Sequence, residues 1–98
     1  MLPIDIMSAP QIALAMAHRV RARRLDLAWT QEELAARAGM SISSLRRFER
    51  TGQVALLSLI RIAIALDAVQ GLSALFPERI HSLDQVLGKP KRKRGRSK

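Results

Sequence analysis

Between Thr30 and Gly52 the chain reads TQEELAARAGMSISSLRRFERTG, and this stretch limits the fold more than any other. Thr30, with Glu33 three residues on, forms a capping box, in which side chain and backbone at a helix start satisfy each other's hydrogen bonds. It predicts a short helix from Gln31 to Ala38, stopped by Gly39, where a left-handed residue is cheap. Ser41, two residues later, can cap another helix running to about Thr51, and Gly52 stops that one.

Two short helices joined by a tight, glycine-containing turn are the helix-turn-helix pattern. The flanking sequence is helical too. Ser8 with Gln11 is a further capping box, and Pro10 suits a first helical turn, so a helix is expected from about Ala9 to Leu25. Its apolar stripe is Ile12, Met16, Val20 and Leu27. Ala35, four residues before Gly39, is small where two helices must cross closely. Val54 to Leu66 is apolar nearly all round, and Ala68 to Leu75 reads as a fifth short helix before Pro77. A helix with so little polar face is buried on more than one side, and in so small a chain a second subunit is expected to cover it. Phe48 and Phe76 are assigned to the core, and Trp29 to the start of the second helix.

The ends read differently. Residues 1–7 carry no periodic pattern, and Ile80, Leu83, Val86 and Leu87 within residues 78–88 fit a helix or a strand equally. The expected division is an N-terminal arm over 1–8, a helix-turn-helix domain over 9–76, an interaction segment over 77–88 and a disordered basic tail over 89–98.

Charge points to the partner. The formal net charge is +9, and residues 89–98, KPKRKRGRSK, hold seven basic side chains and no acidic one. Residues 1–88 carry ten arginines against eight carboxylates, a net of +2, and no lysine. A basic domain with a denser basic tail suits a polyanion, usually nucleic acid, although such a tail can also serve solubility alone. A sequence-blind RNA or nucleoid binder is disfavoured by the scarcity of stacking aromatics, which are only Trp29, Phe48 and Phe76.

Chemistry is thinly represented. There is no cysteine, and His18 and His81 are too far apart in sequence to make a metal site by themselves. No Ser-His-Asp set, glycine-rich phosphate loop or paired carboxylates stand out, so neither an enzyme nor a cofactor or metal is expected. The longest apolar stretch, Val54 to Val69, is broken by Arg61 and Asp67 and is too short for a membrane span. With no secretory signal pattern at the N-terminus, a soluble, cytoplasmic and nucleoid-associated protein is expected.

On a wheel at 100° per residue, Leu45 and Phe48 define the inward face of the third helix. Ser43, Arg46, Arg47 and Arg50 fall on the opposite face, with Ile42 and Ser44 at its edges. Arginine there can bond guanine O6 and N7 with both arms of its fork in a major groove. Arg46 is grouped with the base readers and Arg50 with the phosphate contacts. A plain solvated helix face is the alternative. Glu49 lies within ~40° of the inward centre, and a buried carboxylate needs a partner. Arg23 and Arg24 both border the stripe of the first helix and could supply it. Gln31, at a helix start beside free N–H groups, suits a phosphate contact or simply begins the helix.

The segment resembles the Cro/C1-type helix-turn-helix, or Xre, family. The matching residues are Thr30, Gln31, Leu34, Ala35, Gly39, Ser41, Leu45, Phe48, Glu49 and Gly52, and with SLIRIAIALDAVQGLSALF the likeness spans about 12–76. It implies an all-α, compact five-helix domain like that of lambda repressor, whose third helix reads the major groove. It also implies Gln31 as a phosphate contact, Ile42, Ser43 and Arg47 as base readers, and Arg24 rather than Arg23 as the structural partner of Glu49. Position 42 is often polar in the family. Ile42 can only pack on a thymine methyl, which shifts specificity toward the arginines. A narrower resemblance to HipB-type antitoxins comes from SLRRFERTGQVALLSLIRIAIAL, LFP, SLDQVL and the basic tail. It implies a homodimer on double-stranded palindromic operator DNA that represses its own operon and binds a HipA-like serine/threonine kinase toxin. The alternatives are a stand-alone or phage-type repressor without a toxin, and a toxin-sequestering adaptor for which DNA binding is secondary.

Overall fold

Three of the four α-helices among the described residues begin at a side-chain cap, and the fourth, with Ala55 at its N-cap, begins without one. The computed structural model describes residues 3–78. It contains four α-helices, α1 (Ala9–Asp26), α2 (Gln31–Ala38), α3 (Ile42–Thr51) and α4 (Leu56–Ala65), with 3-10 segments at Ile4–Ile6 and Val69–Ala74. At the head of α1 the Ser8 hydroxyl accepts from the Gln11 N–H, and the Gln11 side chain accepts from the Ser8 N–H at 2.8 Å. Thr30 and Glu33 repeat the exchange at α2, at 3.1 and 2.7 Å. Ser41 caps α3 by accepting from the Ser44 N–H at 3.0 Å. Such caps satisfy N–H groups that have no partner within the helix. Both stops are left-handed glycines, Gly39 at φ 66° and Gly52 at φ 84°.

The core is small and shared by all four helices. Ala17, Leu34, Ala35, Ala38, Leu45, Phe48, Ile62 and Leu66 are buried, with Val20, Trp29, Met40, Val54 and Leu59 packed around them. The α1 helix lies chiefly against α3, and α2 lies against both α3 and α4. Small side chains on α2, Ala35 and Ala38, let α4 approach closely. Where α3 ends, a Cβ added to Gly52 would stand 2.8 Å from the Ala13 carbonyl carbon and 2.9 Å from the Leu14 nitrogen. The α3 helix therefore ends directly on the backbone of α1.

The all-α, five-helix order expected from the sequence is present, and its fifth member is the 3-10 segment. Four expectations need correction. The buried line of α1 runs through Ala17 and Arg24, while Ile12, Met16 and Val20 are only half-buried. Leu27 is 46% exposed, because α1 ends at Asp26 and helical spacing no longer governs the next side chain. Phe76 is 94% exposed instead of buried, since the 3-10 segment stops at Ala74 and Phe76 sits at φ 47°. In the arm, Ile4–Ile6 forms a 3-10 turn where no pattern was visible.

Trp29 is half-buried ahead of α2, with the Arg37 guanidinium 4.1 Å from its ring centroid. Leu56, Leu57, Ile64, Val69, Leu75 and Phe76 remain exposed. No helix among the described residues is long and apolar enough to cross a membrane. The expected interaction segment from Arg79 onward, His81 and the basic tail lie outside the described residues.

Candidate nucleic-acid interface

The outward face of α3 follows from what its inward face is required to do. Leu45 is fully buried and Phe48 nearly so, and their spacing fixes how the helix sits on the core. The same rotation leaves Ser43, Arg46, Arg47 and Arg50 exposed on the other side, with Ile42 half-buried at the edge. Ile42 packs against the core cluster, so only part of its surface is open to a ligand.

Glu49 is the one acidic residue of the helix, and it is buried at 6% exposure. Its carboxylate accepts from Arg24 Nε at 2.8 Å and Arg24 Nη2 at 3.0 Å, a fork-to-fork ion pair. The third donor of Arg24, Nη1, reaches the Trp29 carbonyl at 2.8 Å. Arg23, the other arginine at the border of the α1 stripe, instead donates to the Leu66 carbonyl at 3.0 Å. A bidentate, hydrogen-bonded geometry is what makes a buried pair tolerable. Because the Glu49 charge is neutralised inside, Arg46, Arg47 and Arg50 face solvent with no carboxylate of their own helix to offset them.

Gln31 joins this interior to the surface. Its Nε2 donates to Glu49 Oε1 at 3.0 Å, and its Oε1 accepts from Arg46 Nε at 3.4 Å. The Gln31 amide thus retains one N–H for an outside acceptor such as a phosphate. A line of polar contacts runs from Trp29 through Arg24, Glu49 and Gln31 to Arg46 on the exposed face. Arg47 is held differently, by donating to Gln53 Oε1 beyond the end of the helix. Gln53 was not singled out from the sequence. It lies past Gly52, where helical periodicity stops, and no composition signal marks it.

The surface so built is a convex helix carrying three arginine side chains and a serine, backed by a rigid core and exposed along its length. A B-form major groove, roughly 12 Å wide, admits such a helix, and guanidinium forks match the acceptor pair of guanine. Among the described residues no group of three or more His, Cys, Asp or Glu side chains could hold a metal ion.

A family model described as Helix-turn-helix matches residues 20–70, just over half of the 98-residue chain. The match begins in the middle of α1, takes in α2, α3 and α4, and ends within the Val69–Ala74 segment. No curated protein matches the chain.

Proposed function

This chain belongs to the Cro/C1-type helix-turn-helix (Xre) family of sequence-specific DNA-binding transcription regulators, and on that premise we propose that it is an operator-binding repressor of its own gene. The observation that carries the reading is the arginine face of α3, freed of acid because Glu49 is turned inward onto Arg24. In this reading Ile42, Ser43, Arg46 and Arg47 meet base edges, and Gln31 and Arg50 meet phosphates. The division of labour follows from position. Ile42 and Ser43 open α3 and Arg46 and Arg47 lie at its centre, whereas Arg50 stands near its end. A small helical regulator of this family needs no catalytic group, and the reading assigns none.

The protein acts as a homodimer on a palindrome, with two copies of α3 set about one DNA turn apart. The support is the apolar surface left uncovered on α4 and beyond it, including Leu56, Leu57, Ile64 and Phe76. The finer reading is a HipB-type antitoxin that also binds a HipA-like kinase toxin. It rests on the sequence likeness carried by SLRRFERTGQVALLSLIRIAIAL, LFP, SLDQVL and the basic tail. An apolar groove of about 350 Å³ between Ile4, Met16, Val20, Leu59 and Leu72 favours some interaction role beyond DNA.

The deciding experiment titrates the purified protein against the DNA upstream of its gene, with a scrambled duplex alongside, at two salt concentrations. A large preference for the upstream DNA is expected, with affinity falling steeply as salt rises. Equal binding to both duplexes would remove the operator from the proposal. Sedimentation at micromolar concentration tests the dimer, and a stable monomer would overturn it. Co-purification from the native host, with the partner identified by mass, tests the toxin.

A further inference from the structure

Gly52 does more than end α3. Its left-handed φ of 84° turns the chain so that Gln53 returns to the helix it has just left. There Gln53 Oε1 accepts from the Arg47 guanidinium, six residues earlier in the chain. Thr51 closes the loop from the other side. Its hydroxyl donates to the Arg47 carbonyl at 2.7 Å and accepts from the Gln53 N–H at 3.1 Å. The main-chain carbonyl of Arg47 and its guanidinium are therefore both tied to the same turn.

Without that acceptor the guanidinium has other places to lie. A cleft of about 180 Å³ beside it is lined by Ser44, Gln53, Val54, Ala55 and Ser58, and the Arg47 side chain forms its wall. Arginine is rich in rotamers, and ordering such a side chain at the moment of binding weakens the contact it makes. An arginine already aimed outward loses less, and it rejects the wrong base more sharply because it cannot swing to a neighbouring acceptor.

We propose that Gln53 is a positioning residue for DNA recognition, holding the Arg47 guanidinium in one orientation and so sharpening the base preference that Arg47 confers. The proposal rests on the reading of Arg47 as a base contact, and its test separates the two. Wild type, Arg47→Ala, Gln53→Ala and Gln53→Glu are each used to select sites from a pool of randomised duplexes. Arg47→Ala identifies the base pair that Arg47 reads, as the position whose preference disappears. At that position Gln53→Ala should lose about two- to tenfold of the preference, the scale of one immobilised long side chain. Its preference at all other positions and its thermal melt should be unchanged, since Gln53 is exposed. Gln53→Glu keeps the acceptor and should keep the preference, while its charge weakens binding to every sequence alike. If Arg47→Ala weakens all sequences equally, Arg47 is not a base reader and both ideas fall. If Arg47→Ala erases one position while Gln53→Ala retains it, or Gln53→Glu loses it as fully as Gln53→Ala, the positioning role of Gln53 is refuted and the reading of Arg47 stands.

Discussion

Replacing Glu49 by Ala should unfold this domain at a much lower temperature while leaving the chemistry of the recognition face in place. The carboxylate receives three hydrogen bonds, two from Arg24 and one from Gln31, at 2.8, 3.0 and 3.0 Å. Its loss leaves the Arg24 guanidinium, buried in the intact protein, with only the Trp29 carbonyl for company. Breaking a buried ion pair by removing one partner costs ~3–5 kcal/mol, and the surviving Trp29 contact argues for the lower end. A domain the size of residues 3–78 holds roughly 4–11 kcal/mol in all, so ~3 kcal/mol is a large fraction of it. At ~4–8 °C per kcal/mol for a domain of this length, the melting temperature should fall by ~12–24 °C. The assay is thermal melting by circular dichroism at one fixed protein concentration, because a dimer's midpoint depends on concentration. A second arm combines Glu49→Leu with Arg24→Met, which removes both charges and should recover most of the loss. A midpoint for Glu49→Ala within ~4 °C of wild type would mean that the pair contributes ~1 kcal/mol or less and that α3 is seated by Leu45 and Phe48 alone.

The two glycines that close α2 and α3 should answer differently to alanine. Gly39→Ala meets nothing within 4 Å and should lose only the ~1–2 kcal/mol of a left-handed residue. Gly52→Ala adds a clash with the backbone of Ala13 and Leu14, so denaturant melts should show ~1–3 kcal/mol more. Ala28 sits at φ 59°, and Ala28→Gly should raise stability by up to ~1 kcal/mol, the relief of strain less the added chain entropy. For DNA, Arg50→Ala should weaken binding to all sequences alike and reduce the slope of log affinity against log salt by about one per protomer. A change confined to one base pair would instead make Arg50 a reader.

Much of this molecule could be seen in its residues, wherever structure depends on near neighbours. Ser8, Thr30 and Ser41 mark helix starts because a hydroxyl finds its N–H three residues on, whatever the rest of the chain does. Leu45, Phe48 and Glu49 share one face of α3 for an equally local reason, the 100° step of the helix. Legibility fades past the helix ends. Leu27 and Phe76 follow a terminus, so the spacing that placed their neighbours says nothing about them. Gln31 and Gln53 are further cases, since an amide on a helix start or a turn can point in or out. Only the tertiary position of Glu49 and of Arg47 decides. Arg23 and Arg24 could not be told apart from the residues alone, because the choice depends on how α1 rotates against both α3 and Leu66.

The contact of Gly52 with the backbone of α1 also bears on how such a protein can be rebuilt. At this point α3 and α1 approach closely enough to exclude a side chain at position 52, so glycine there helps to set the offset between the two helices. The exposed residues proposed to meet bases, Ser43, Arg46 and Arg47, and the proposed phosphate contact Arg50 can then be exchanged without disturbing that close approach. The helix pair itself is not portable. A graft cut at Thr30 and Gly52 leaves behind Ala13, Leu14 and Arg24, and with them the surface that tells α3 how far to protrude. Any chimera that aims to transfer the proposed DNA specificity should therefore transplant Ile42, Ser43, Arg46 and Arg47 onto an intact domain, and never the two helices by themselves.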